Sequence, residues 1–200
     1  VAISELEGET RPNAYGDLAL INKDPSKPND AYFRHVDYIV DKAASLGLFT
    51  GMLPSWGIYW KTGTDNKRRL FTPENAREYG LFLGRRYKDK PVIWILGGDH
   101  NPDNPGEKEI IEAMAKGLRE GDNGAHLITF HPRGPGRSSV YFHKSPWLDL
   151  NMFQSSHAAR GFDNGVFAEL DYKLTPVKPT LDGEPRYENI MVGFYYQGNS

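Results

Sequence analysis

Apolar residues along the 200-residue chain alternate between two periodicities. Val92-Ile93-Trp94-Ile95-Leu96 has no polar break, and Gly97-Gly98-Asp99-His100-Asn101 follows it directly. An unbroken run of this kind suits a strand covered on both faces, which is the habit of parallel sheets. Similar runs predict strands over residues 48–53, 126–130, 147–153 and 177–181, with Val1-Ala2-Ile3 as the tail of another. Between them the spacing becomes helical. Phe33, Val36, Ile39, Val40 and Ala43 predict a helix over 31–46, capped by Asn29 or Asp30. Thr72 and Pro73 open a second helix, with Asn75 at the capping-box position, that runs to about Tyr87. Ile110, Ile111, Met114 and Leu118 mark a third over 105–120, and Phe162, Val166, Phe167 and Leu170 a fourth over 162–174. Residues 10–29 read as a long loop and 134–137 as a turn.

Strand and helix in regular alternation are the signature of βαβ units and a parallel sheet. Polar or aromatic clusters finish nearly every strand, and no Gly-rich phosphate fingerprint follows any of them. That favours a (β/α)8 TIM-barrel type over a doubly wound sheet. About six βα units fit the chain, where a complete barrel takes roughly 250 residues. The expectation is one partial α/β barrel domain over residues 1–200 that lacks the first and last strands.

Composition narrows the partners. The 38% hydrophobic and 25% charged content is ordinary for a globular domain, and a net charge of −2 offers no basic field for nucleic acid. No apolar run approaches the roughly 20 residues of a membrane span, and no signal peptide is visible. With no cysteine, disulfides and thiolate metal sites are excluded. Four Trp and eleven Tyr would suit the apolar faces of sugar rings, although a core uses such residues equally well.

Glycoside hydrolysis needs two carboxylates, one to protonate the leaving oxygen and one to act as nucleophile or activate water. Asp99 and Glu184 are the pair chosen here, each beyond a strand end and each preceded by glycine. A barrel would place them on opposite sides of one mouth. A retaining enzyme would hold them roughly 5 to 5.5 Å apart, an inverting one roughly 6.5 to 9.5 Å. Burial beside Trp94, or the charge of Glu184, would keep Asp99 protonated, while Arg186 or a strand-end histidine would keep Glu184 ionised. His100, His131 and His157 also follow strands and with Asp99 offer the residue types of a metal cluster, but no HxH or HExxH spacing is present. They read better as partners of sugar hydroxyls or orienters of the carboxylates, and no cofactor is expected. Trp56 and Trp60 are candidates for sugar stacking. Glu5, Glu7, Asn101, Gln154 and Tyr187 lie on the same presumed face and are candidates for substrate binding, whereas Glu9 and Glu188 suit loop roles equally well.

Six stretches in order carry a resemblance: Glu5-Leu6-Glu7-Gly8 with Pro12-Asn13-Ala14-Tyr15-Gly16, Leu53-Pro54-Ser55-Trp56-Gly57, Trp94 to Asn101, Ile128-Thr129-Phe130-His131-Pro132, Gln154-Ser155-Ser156-His157, and Leu181-Asp182-Gly183-Glu184-Pro185-Arg186-Tyr187-Glu188. Together they resemble the apiosidase-like glycoside hydrolases, glycoside hydrolase family 140, with its DUF4038-type catalytic domain. The resemblance implies a (β/α)8 barrel and a retaining mechanism on apiose-linked side chains of plant pectin, with Asp99 as acid/base and Glu184 as nucleophile. It also implies a secreted or periplasmic protein with further strands and domains around this segment. The competing readings are a metal-dependent hydrolase on a barrel and an inactive carbohydrate-binding fragment.

Overall fold

The computed structural model describes residues 1–4, 6–63, 68–155, 157 and 163–188. Strands β1 (Thr50–Met52), β2 (Val92–Gly97) and β3 (Ile128–His131) form one parallel sheet in the order β1-β2-β3. Strands β4 (Gly136–Arg137), β5 (Asn151–Gln154) and β6 (Thr180–Asp182) form a second, in which β5 and β6 are parallel and short β4 is antiparallel. The sheets meet where Asp149 N–H donates to Ile128 O at 2.9 Å and Thr129 Oγ1 donates to Leu150 O at 2.8 Å. On the other flank Ala2 N–H donates to Leu53 O and Ile3 O accepts from Trp56 N–H. Residues 1–3 therefore run beside β1 without entering a ladder.

Helix α1 (Asp30–Ser45) starts where the Asn29 side chain accepts the Ala31 N–H at 3.1 Å. Helix α2 (Pro73–Tyr87) carries a full capping box between Thr72 and Asn75. Helix α3 (Pro105–Asp122) is capped by Asn104 and ends on left-handed Asn123. It buries Ile110, Ile111, Met114 and Leu118, each of which contributes on the order of 1.5 to 3 kcal/mol. Short α4 (Ser139–Phe142) and α5 (Gly165–Tyr172) complete the set.

Alternation along the strands sorts side chains between helices and mouth. Trp94 and Leu96 of β2 are buried toward the helices, and Trp94 Nε1 donates to Asp122 of α3 at 3.0 Å. Trp94 is thus committed to the outer layer and does not flank Asp99. Ile93 and Ile95, on the opposite face, are half-buried, so the expected two-sided cover of β2 is complete only on the helix side. This is an α/β fold of the incomplete TIM-barrel type, with helices outside parallel strands.

The predicted strand over 147–153 contracts to β5 because Trp147 and Leu148 bury their side chains from a turn, where Leu148 N–H donates to Ser145 O. The predicted turn at 134–137 contains β4, and α4 follows it with too few residues to show a period. Residues 10–29 are a loop that holds a single 3-10 turn at Ile21–Lys23. Among the described residues no helix is long and apolar enough to cross a membrane.

Candidate active site

The chain leaves β2 through three consecutive positive-φ residues, Gly97 (97°), Gly98 (94°) and Asp99 (55°). Glycine is needed at 98 because a Cβ there would lie 2.8 Å from Gly57 N and 3.0 Å from Trp56 Cα. Aspartate tolerates the left-handed region better than most residues. The bend is tied to both neighbouring loops: Gly57 N–H donates to Gly98 O at 3.0 Å, and Gly98 N–H donates to His131 O at 3.3 Å. Asp99 is left half-buried at the carboxyl end of β2.

Glu184 follows β6 and gathers the polar groups of the other strand ends. Gln154 Nε2, at the end of β5, donates to Glu184 Oε2 at 2.8 Å. His131 Nε2, at the end of β3, lies 3.0 Å from the same oxygen. His157 Nε2 lies 3.6 Å from Oε1, to which the Tyr187 hydroxyl also donates. In both histidines the other ring nitrogen accepts a backbone N–H, from Asp99 at 3.2 Å to His131 Nδ1 and from Tyr187 at 3.3 Å to His157 Nδ1. Each ring therefore carries its proton on Nε2, and His131 presents it to the carboxylate within hydrogen-bond reach. Three donors within hydrogen-bond reach, from Gln154, His131 and Tyr187, make Glu184 the acceptor hub of the mouth.

Tyr187 senses both acids. Its phenol is pushed up to about 12, first by its hydrogen bond to Glu184, then by partial burial and by the charges of Glu184 and Asp99. It stays a hydroxyl donor across the neutral range. Its ring centroid lies 4.1 Å from that of His157. Trp56, half-buried, lies over Gly98 with its ring centroid 6.0 Å from that of His131, so an aromatic surface borders the cluster.

The other sequence candidates are placed differently. His100 hydrogen-bonds back to Gly98 O at 3.0 Å and meets Trp60 edge-on, which gives it a packing role. Asn101 joins two loops, its Oδ1 accepting the Arg133 N–H and its carbonyl accepting Lys61 Nζ. Trp60 is core, 2% exposed, with Nε1 donating to Gly97 O. Glu7 is exposed, and its carbonyl shapes a turn by accepting from Thr10 and Arg11. Glu5 lies outside the described residues. Glu9 sits in a turn but is buried, not a surface acid: it accepts from Tyr59 and Arg68, and these bonds hold its carboxyl below the usual range although burial pulls the other way. Among the described residues no three His, Cys, Asp or Glu side chains are grouped to hold a metal ion.

Two supports of the site were not read from the sequence. Gly134 lies against Gln154, and a Cβ there would come within 2.6 Å of the Gln154 amide carbon. Glu107 and Lys61 clasp the loop beyond Asp99. Lys61 Nζ donates to Asn101 O at 2.8 Å, Asp103 Oδ2 at 2.5 Å and Glu107 Oε2 at 2.9 Å. The Asn104-Pro105-Gly106-Glu107 spacing is a helix-start signal that would have drawn notice to Glu107.

Parallel strands that bring a hydrogen-bonded carboxylate and a second acid to their carboxyl ends, beside a half-buried indole, define an α/β protein of barrel type with its polar centre where such barrels place their chemistry. The chain belongs to the apiosidase-like catalytic domain family, whose model matches residues 1–199. It is similar to a solved glycoside hydrolase family 5 protein from Bacteroides vulgatus ATCC 8482, at 37% identity and a TM-score of 0.79, over 94% of this chain. A second solved structure, a glycoside hydrolase, is 35% identical with a TM-score of 0.75 over 90% of this chain. This chain spans 43% of the length of each. No curated protein matches it.

Proposed function

We propose that this chain carries the catalytic centre of a retaining glycoside hydrolase acting on plant cell-wall polysaccharide, with apiose-linked pectin side chains as the substrate class. The observation that supports this reading best is the setting of Glu184, an acceptor held by three donors and linked through His131 to the segment bearing Asp99. Such a carboxylate is oriented for attack, not free to rotate into solvent. Glu184 attacks the anomeric carbon as the glycosidic C–O bond breaks, and Asp99 gives its proton to the departing oxygen. Asp99 then takes a proton from water as that water displaces Glu184, which releases the sugar and restores both groups. Trp56 offers a stacking face for a sugar ring, and Gln154 and Tyr187 keep the nucleophile from turning away.

The test is the anomeric configuration of the first product. Proton NMR of a reaction on an apiose-containing pectin oligosaccharide, by a protein carrying this chain, should show retention before mutarotation. Inversion, or cleavage that survives Glu184→Ala, would sink the reading.

A further inference from the structure

A single side chain touches both acid-bearing segments. The Asp99 N–H donates to His131 Nδ1 at 3.2 Å, while His131 Nε2 faces Glu184 Oε2 at 3.0 Å. A backbone N–H can only donate, so Nδ1 must offer its lone pair and Nε2 must hold the proton that Glu184 accepts. The side chain is 9% exposed, which leaves little water to support the other tautomer. His131 also grips the same segment through its backbone, pairing with Gly97 in the ladder and accepting the Gly98 N–H. The peptide it anchors belongs to left-handed Asp99, a conformation that persists only where the surroundings impose it.

We infer that His131 is a positioning residue with a divided duty: Nδ1 sets the peptide of Asp99, and so the aim of its carboxyl, while Nε2 sets the carboxylate of Glu184. The inference rests on the assignment of Asp99 as acid/base and Glu184 as nucleophile. It adds that one imidazole holds the two in mutual register. The other Glu184 oxygen accepts from the Tyr187 hydroxyl, whose backbone N–H donates to His157 Nδ1.

Two substitutions separate the halves of the ring. His131→Asn keeps an acceptor near the Nδ1 position and removes the donor to Glu184; His131→Gln places an amide N–H near the Nε2 position and removes the acceptor for Asp99. The probes are dinitrophenyl apioside, whose leaving group needs no protonation, and methyl apioside, whose leaving group does. Loss of positioning should cost on the order of 100-fold in kcat/KM. His131→Asn should lose that much on both probes, and His131→Gln chiefly on methyl apioside. Equal losses on the two probes in both variants, with melting curves like wild type, would overturn the inference. So would imidazole 15N shifts that place the His131 proton on Nδ1, a reading that needs no substrate and no variant. Failure of the underlying assignment looks different: Asp99→Ala would then lose both probes alike, or Glu184→Ala would retain turnover.

Discussion

At Glu107 a carboxylate that is 1% exposed accepts hydrogen bonds from Lys61, from both N–H and hydroxyl of Thr62, and from the Asp103 N–H. Burial alone would raise its pKa, but the bonds from Thr62, Lys61 and Asp103 outweigh that and bring it from 4.5 to about 2. A carboxyl with a folded value below its unfolded one stabilises the fold above the unfolded value, and the contribution fades as pH falls from 4.5 to about 2. The gap corresponds to roughly 3 kcal/mol. Glu107→Gln should therefore lower the urea-unfolding free energy by about that amount at neutral pH and by progressively less in acid. A deficit that stays constant down to the acid end would contradict the clasp. Because Lys61 also holds Asn101 O, the same variant should loosen the segment that follows Asp99.

Helices α2 and α3 approach so closely that backbone meets backbone. Gly80 and Gly84 face Gly117 and Gly121, and a Cβ at Gly84 would lie 2.5 Å from Leu118 O, one at Gly121 2.6 Å from Leu81 O. Gly121→Ala ought to gain helix propensity by roughly 1 kcal/mol, yet overpacking costs about 1 to 3 kcal/mol, so the contact decides the sign and the variant should melt lower. An unchanged or higher melting temperature would mean that the pair is looser than described. Helices were the legible elements: the Thr72 cap, the choice of Asn29 or Asp30 for α1, and the extents of α1 to α3 follow from the sequence to within a residue or two, although Ile39 on the α1 stripe is exposed. Strands were legible in place but not in length, since the ladder residues of β1 and β6 number three each while the stretches predicted for them, 48–53 and 177–181, are longer. Apolarity does not mark a ladder by itself: Leu48, Phe49 and Val177 are exposed outside β1 and β6, and Trp147 and Leu148 are buried without belonging to a ladder.

Across the molecule, the strand ends could be read because each polar cluster directly follows an apolar run. That reasoning placed Asp99, His131, Gln154, His157 and Glu184 on one face. It could not say which of them touch, because parity within a strand and tilt between strands decide contact. His100 and Asn101, adjacent to Asp99 in sequence, turn to bind loops, whereas His131 and Gln154 share the inward parity and meet at Glu184. The flanks carry exposed apolar groups, Tyr38, Ile39 and Leu46 on the α1 side and Leu170, Tyr172 and Leu181 by α5 and β6. Expressed alone, the 200 residues should bind an apolar dye such as ANS more strongly than a longer polypeptide with further βα units at these flanks; equal fluorescence would count against such cover. The central claim, that Glu184 and Asp99 divide nucleophile and acid/base roles, is tested most directly by azide rescue of Glu184→Ala and Asp99→Ala on dinitrophenyl apioside. Azide entering the space left by Glu184 should give a glycosyl azide of inverted configuration, and azide replacing water after Asp99→Ala should give the retained one. The same anomer from both variants, or rescue of neither, would contradict the account.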